Sequence, residues 1–161
     1  MAYTRKRTAK RTRPKDRTCY ETAVYLLQFR DQSEKDLTRK LKEREYTEKE
    51  IEEAMERLRD YEYVNDEDLA DELFEAYRRR AQYGDAYIHQ KLKLKGLATE
   101  KHLQFEEEIE MAAALLQKKW GMSPKLRTDF KKSASFLLRR GFSHDAVMTV
   151  MHEMDFDETE E

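Results

Sequence analysis

Apolar residues recur along this chain every three or four positions and hardly ever alternate with polar ones. That is the spacing of a buried stripe on a helix rather than of a strand. It predicts a chain of nine helices. The first covers about 19–30, with Ala23, Leu26, Leu27 and Phe29 turned inward. The second covers 34–44 (Leu37, Leu41) and the third 48–61 (Ile51, Ala54, Met55, Leu58). A fourth runs over 67–82 (Leu69, Leu73, Phe74, Tyr77) and a fifth over 85–95 (Ile88, Leu92). The sixth starts near Thr99, using Leu103 or Phe105, and can run into a seventh at 108–120 (Ile109, Ala112, Ala113, Leu116, Trp120). The eighth spans 125–140 (Phe130, Phe136, Leu137) and the ninth 144–154 (Val147, Val150, Met151, Met154).

Starts and stops are written between these stripes. "SEKD" at 33–36 and "TEKE" at 47–50 have the form of capping boxes, in which a hydroxyl takes a free backbone N–H of the first turn and the acid reaches back. Asn65 or Asp66 opens the fourth helix and Ser143 the ninth. Gly84, Gly96, Gly121 and Gly141 each stand at the end of a helical pattern, where a left-handed residue closes a helix.

Three of the joints repeat. Leu41, Leu92 and Leu137 take one position. Glu45, Gly96 and Gly141 take the turn, followed by Tyr46, Leu97 and Phe142. A cap comes next at Thr47, Thr99 and Ser143, then an apolar residue at Ile51, Leu103 and Val147. The leucines are 51 and 45 residues apart. One such triplet of helices has little core, so neighbours must bury each other's faces. The fold class that follows is all-α, with three tandem three-helix repeats in an elongated, curved array. The expected divisions are a basic arm at 1–17, repeats at 18–64, 65–107 and 108–154, and an acidic tail at 155–161.

Composition supports thin helical layers. Of 161 residues, 39% are hydrophobic and 41% charged, with four glycines and two prolines. No apolar run approaches the length of a membrane span, and the basic start lacks the apolar region of a secretory signal. The single cysteine, Cys19, excludes an internal disulfide and leans towards a reducing compartment, so a cytoplasmic location is expected.

The net charge of -2 hides a split: residues 1–17 carry eight Lys/Arg and one Asp, while the last seven carry five acids. Arg5, Lys6, Arg7, Lys10, Arg11, Arg13, Lys15 and Arg17 either form a solvated arm or contact nucleic-acid phosphates by counterion release. Within the body, Arg78, Arg79 and Arg80 end the fourth helix, Lys91, Lys93 and Lys95 lie on the fifth, and Arg139 and Arg140 end the eighth. Cations there stabilise helix ends in any case. They are also candidate contacts to DNA phosphates or to an acidic protein surface.

No catalytic constellation stands out. His89, His102, His144 and His152 are scattered, and no metal or other cofactor is expected. The runs Asp66–Glu67–Asp68 and Glu106–Glu107–Glu108 read as caps and solvated faces rather than a nuclease site. Cys19 reads as a plain free cysteine.

The order of these features resembles the RecX family of bacterial regulatory proteins. The likeness runs over about 20–154: "SEKDLTRKLKEREYTEKEIEEAMERLRDYEYVNDEDLADELF" in the first unit, "YGDAYIHQKLKLKGL" in the second and "FLLRRGFSHDAVMTVM" at the end. It departs at Glu45, where the family usually has glycine, and at "RRRAQYG", which has one glycine where two are usual. The resemblance implies a non-enzymatic regulator that binds the RecA recombinase and its filament on single-stranded DNA. It implies modulation, usually inhibition, of ATPase, strand-exchange and co-protease activity, and so of DNA repair, recombination and the SOS response. The rival reading is a helical DNA-binding protein that acts without a recombinase. No membrane or small-molecule partner is expected.

Overall fold

A computed structural model describes residues 16–154. Among these residues there are eight α-helices, one 3₁₀ turn and no strand. The chain forms two compact units that divide between Leu69 and Ala70, inside the fourth helix.

The first unit holds α1 (Cys19–Leu27), α2 (Glu34–Lys42), α3 (Glu48–Asp60) and the start of α4 (Asp66–Arg80). Its core is the expected set of Ala23, Leu37, Leu41, Ile51, Ala54, Met55 and Leu58, joined by Tyr46 and Val64. The Tyr46 hydroxyl donates to the Arg17 carbonyl at 3.0 Å and receives the Thr22 hydroxyl at 2.7 Å. Burying the ring therefore leaves its polar end satisfied. Thr47 closes a complete capping box with Glu50, as does Thr18 with Glu21. Ser33 accepts from the Asp36 N–H. Helix α1 stops at Leu27, before Phe29, which is 71% exposed and not part of the core.

The second unit holds the rest of α4, then α5 (Asp85–Leu94), α6 (Phe105–Met122), the 3₁₀ turn (Pro124–Thr128), α7 (Phe130–Arg139) and α8 (His144–Glu153). Ala112, Leu116, Trp120, Leu137, Phe142, Val147, Val150 and Met151 make one core cluster. Phe74, Ile88 and Leu92 are buried as expected, whereas Leu69, Leu73 and Tyr77 are only partly covered.

The repeated turn is left-handed at all three sites. Glu45, Gly96 and Gly141 have φ of 66°, 72° and 84°, and the next residues, Tyr46, Leu97 and Phe142, are buried. The Tyr46 and Leu97 N–H groups bond back to the Leu41 and Leu92 carbonyls at 3.3 and 2.9 Å, the closing bond of a Schellman motif. Glu45 thus adopts the left-handed turn without glycine's freedom, at a cost of roughly 1–2 kcal/mol.

Several sequence expectations are corrected or resolved. No helix starts at Thr99, because residues 97–104 lack helical structure. The Thr99 hydroxyl donates to Asp71 at 2.6 Å instead of capping a following turn. The sixth and seventh helices are one, and α6 begins after Gln104, whose N–H is taken by Glu107 at 2.9 Å. The eighth helix is broken: Asp129 caps α7 by accepting from the Lys132 N–H at 3.0 Å, and Phe130 is 41% exposed. Of the glycines, Gly84 precedes α5 as its N-cap, with φ of -78°, and Gly121 sits inside the last turn of α6. Neither ends a helix in the left-handed form.

Two close approaches fix the second unit. A Cβ on Gly84 would lie 2.3 Å from the Gly141 carbonyl oxygen, and one on Gly141 would lie 2.4 Å from Tyr87 Cβ. The Gly84 N–H donates to the Arg140 carbonyl at 2.8 Å. Beside this contact, the buried Glu108 carboxylate accepts from the Asp85 N–H at 3.0 Å and from the Ser143 hydroxyl at 2.8 Å. One acid from α6 therefore anchors the starts of both α5 and α8, where exposed N–H groups favour negative charge.

Candidate interaction surface

The glycine contact carries the end of α7 to the turn between α4 and α5, so the basic residues at these helix ends converge. Tyr83, in the bend before α5, and Tyr87, in its first turn, stack with centroids at 3.9 Å and planes at 6°. Tyr77 meets both edge-on, at 6.2 and 6.4 Å. Three cations surround the group. The Arg140 guanidinium lies 5.2 Å from the Tyr83 ring, Lys91 Nζ 5.2 Å from Tyr87, and the Arg80 guanidinium 6.0 Å from Tyr77. Each is within cation–π range. Arg140 also donates to the Gln82 carbonyl at 3.4 Å.

The remaining basic residues differ. Arg78 is engaged by acids of the same unit: its Nε donates to Glu107 at 2.7 Å, and Nη1 stands 3.5 Å from Glu75. The hydrogen bond to Glu107 raises the Arg78 pKa further. The Gln104 N–H and then Arg78 hold Glu107 below the ordinary carboxylate range. Glu75 is lowered first by its hydrogen bond from Lys101. Arg78 thus ties α4 to α6. Arg79, Lys93 and Arg139 are exposed, and Lys95 is half-buried at the end of α5. Lys93 is two residues from Lys91 and so cannot share its face; the three lysines do not form one patch. Arg17, in the first unit, lies 4.3 Å from the Tyr25 ring. Arg5, Lys6, Arg7, Lys10, Arg11, Arg13 and Lys15 fall outside the described residues, as does the acidic tail.

Periodicity assigns Tyr77 to the core and gives Tyr83 and Tyr87 no role. Their signal is present in "YRRRAQYGDAY", where tyrosines at 77, 83 and 87 flank and follow a run of three arginines. The histidines are also not all scattered, since His89 and His102 stack with centroids 4.5 Å apart. Cys19 is buried and takes part in no disulfide. Glu107 and Glu108 hold backbone N–H groups, so neither stands free in a carboxylate site. Among the described residues, no helix is long and apolar enough to cross a membrane.

Comparison with known proteins gives a consistent picture. The model of the RecX first three-helix domain matches residues 19–58, and that of the third three-helix domain matches 106–151. Regulatory protein RecX of Actinobacillus pleuropneumoniae is 34% identical over 155 residues, covering 89% of this chain and 96% of the relative. Regulatory protein RecX of Bacillus subtilis is 26% identical, and the match spans just 57% of its length. The crystal structure of RecX from Lactobacillus salivarius superposes with a TM-score of 0.73 at 24% identity, over 84% of this chain and 93% of that one.

Proposed function

The chain belongs to the RecX family of regulatory proteins, and from that premise we propose that it binds the RecA recombinase and its single-stranded-DNA filament and inhibits it. It does so without catalysis of its own, lowering the recombinase's ATPase, strand-exchange and co-protease activities in the cytoplasm. In this reading the body is three helical repeats, at 18–64, 65–107 and 108–154, the middle one with the non-helical residues 97–104 where a third helix is expected, preceded by a basic arm that adds phosphate contacts.

The observation that carries the proposal is the convergence of Arg80, Lys91 and Arg140 around Tyr77, Tyr83 and Tyr87. Such a surface offers positive charge for phosphates or acidic side chains and flat rings for stacking. It contains no nucleophile paired with a base. Arg79 and Arg139 extend the charge into solvent, while Arg78 keeps the supporting helices in place.

The test is a recombinase ATPase assay on single-stranded DNA, titrated with the protein. The full chain should inhibit. A triple Arg80→Ser, Lys91→Ser, Arg140→Ser variant should need at least about tenfold more protein, the loss of roughly 1.4 kcal/mol of binding. Unchanged inhibition by a folded triple variant removes this surface from the mechanism. The Tyr83–Tyr87 stack also suits unpaired bases, which stack on aromatic side chains, and this favours a second reading of direct DNA binding. Retention on single-stranded DNA without recombinase would support it; retention that requires recombinase supports the first.

A further inference from the structure

Asp85 opens α5 and His89 follows one turn later, so both side chains share a face of that helix. The non-helical segment after α5 folds back and brings His102 to the same place. Asp85 Oδ2 lies 2.8 Å from His102 Nδ1 and 3.5 Å from His89 Nε2. The ligand-type atoms of all three residues lie within 4.8 Å of one another. The Lys101 carbonyl oxygen adds a fourth polar atom, 2.9 Å from His89 Nε2.

The surroundings fix these groups from behind. The Leu103 N–H donates to Asp85 Oδ1 at 2.7 Å, leaving Oδ2 to face the rings. The His89 ring packs on Phe74, with centroids 5.8 Å apart. Lys101, which carries the nearby carbonyl, is tied to Glu75 by an ion pair at 3.0 Å. Ligands oriented by such outer contacts are characteristic of metal sites. Nitrogen and oxygen ligands lie about 2.0–2.2 Å from a zinc ion. Two ligands at right-angled to tetrahedral spread around it then stand roughly 2.9–3.5 Å apart, close to the separations from Asp85 Oδ2.

We infer that Asp85, His89 and His102 form a binding site for a divalent transition-metal ion of the zinc class. Two imidazoles and one carboxylate suit zinc, cobalt, nickel or copper, whereas magnesium and calcium want oxygen donors alone. Three side chains leave a coordination position for solvent or for the Lys101 carbonyl. The bound ion clamps residues 97–104, which have no helix of their own, onto the start of α5. Binding to the folded state alone also raises thermal stability by mass action.

Hydrogen bonds could hold the same three residues without an ion, and metal titration separates the two cases. The untagged full chain, freed of metal with a chelator, is titrated with Co²⁺ and followed by visible absorption, then challenged with Zn²⁺. One equivalent of Co²⁺ should give saturable visible bands that Zn²⁺ removes, with a Tm rise of several degrees. His89→Ala and His102→Ala should each weaken binding more than about tenfold, while His144→Ala and His152→Ala leave it unchanged. The His102 side chain is 61% exposed, so its removal should not prevent folding, and circular dichroism checks this. No saturable band at micromolar Co²⁺, or wild-type affinity in the His102→Ala chain, overturns the assignment.

Discussion

In the first unit, helix starts are held mostly by their own neighbours in sequence. Thr18, Ser33 and Thr47 each take an N–H three residues on. The exception is the Glu34 N–H, which reaches Asp66 at 3.0 Å; burial pushes the Asp66 carboxyl pKa up there. The second unit caps α6, α7 and α8 locally too, but adds a start held from a distance. Its α5 begins at a glycine with no side-chain cap and is held by Glu108, 23 residues away, and by a backbone bond to Arg140. Local capping makes each helix legible and tolerant of change. Capping from a distance makes several helices depend on one residue, and it aligns their ends. In the second unit that alignment gathers the tyrosines and cations.

Gly84→Ala should break the contrast most severely. The new Cβ would meet Gly141 backbone, which cannot swing aside, and overpacking of this kind costs about 3 kcal/mol or more. Hydrogen exchange should rise across α5, α7 and α8 while α1–α3 keep their protection. Equal loss in both units would show that they do not respond separately.

Glu108→Gln comes next. It turns one acceptor into a donor facing either the Asp85 N–H or the Ser143 backbone N–H. Leaving such a buried group unpaired costs roughly 2 kcal/mol, measured by urea unfolding. The same experiment on Glu50→Gln, whose capping bond is exposed and local, should show well under half of that loss.

The smallest expected effect has the opposite sign. Glu45 holds a left-handed φ of 66°, so Glu45→Gly should relieve strain and raise stability by about 0.5 kcal/mol once glycine's greater chain entropy is counted. Chemical denaturation of the full chain reads it. A loss instead would mean that side-chain contacts of Glu45 outweigh the strain.

Much of the fold was readable because helices here carry their own punctuation. Leu37, Leu41, Leu58, Leu92 and Leu137 fell on buried stripes and are almost wholly covered. The repeated joint was visible even where glutamate replaced glycine, since the buried residue after the turn kept its place. The failures share a cause. Thr99 has the look of a cap, yet its hydroxyl is taken by Asp71 from another helix. Phe29 and Phe130 fit the period but lie at or just past helix ends and stay exposed. The candidate surface was half legible. Its cations were found as charge at helix ends, but Arg78 could not be separated from Arg80 without seeing Glu107.

Sequence alone determined the all-α class, most helix limits and the residues of each buried stripe, because periodicity, caps and left-handed turns act over a few residues. Only tertiary structure decided which polar groups are spent inside the protein and which remain for a partner. It set Arg78 against Glu107 and left Arg79 exposed. It also brought His102 to Asp85 across 17 residues of chain. Those pairings depend on how helix ends meet, and packing sets that through contacts such as Gly84 on Gly141.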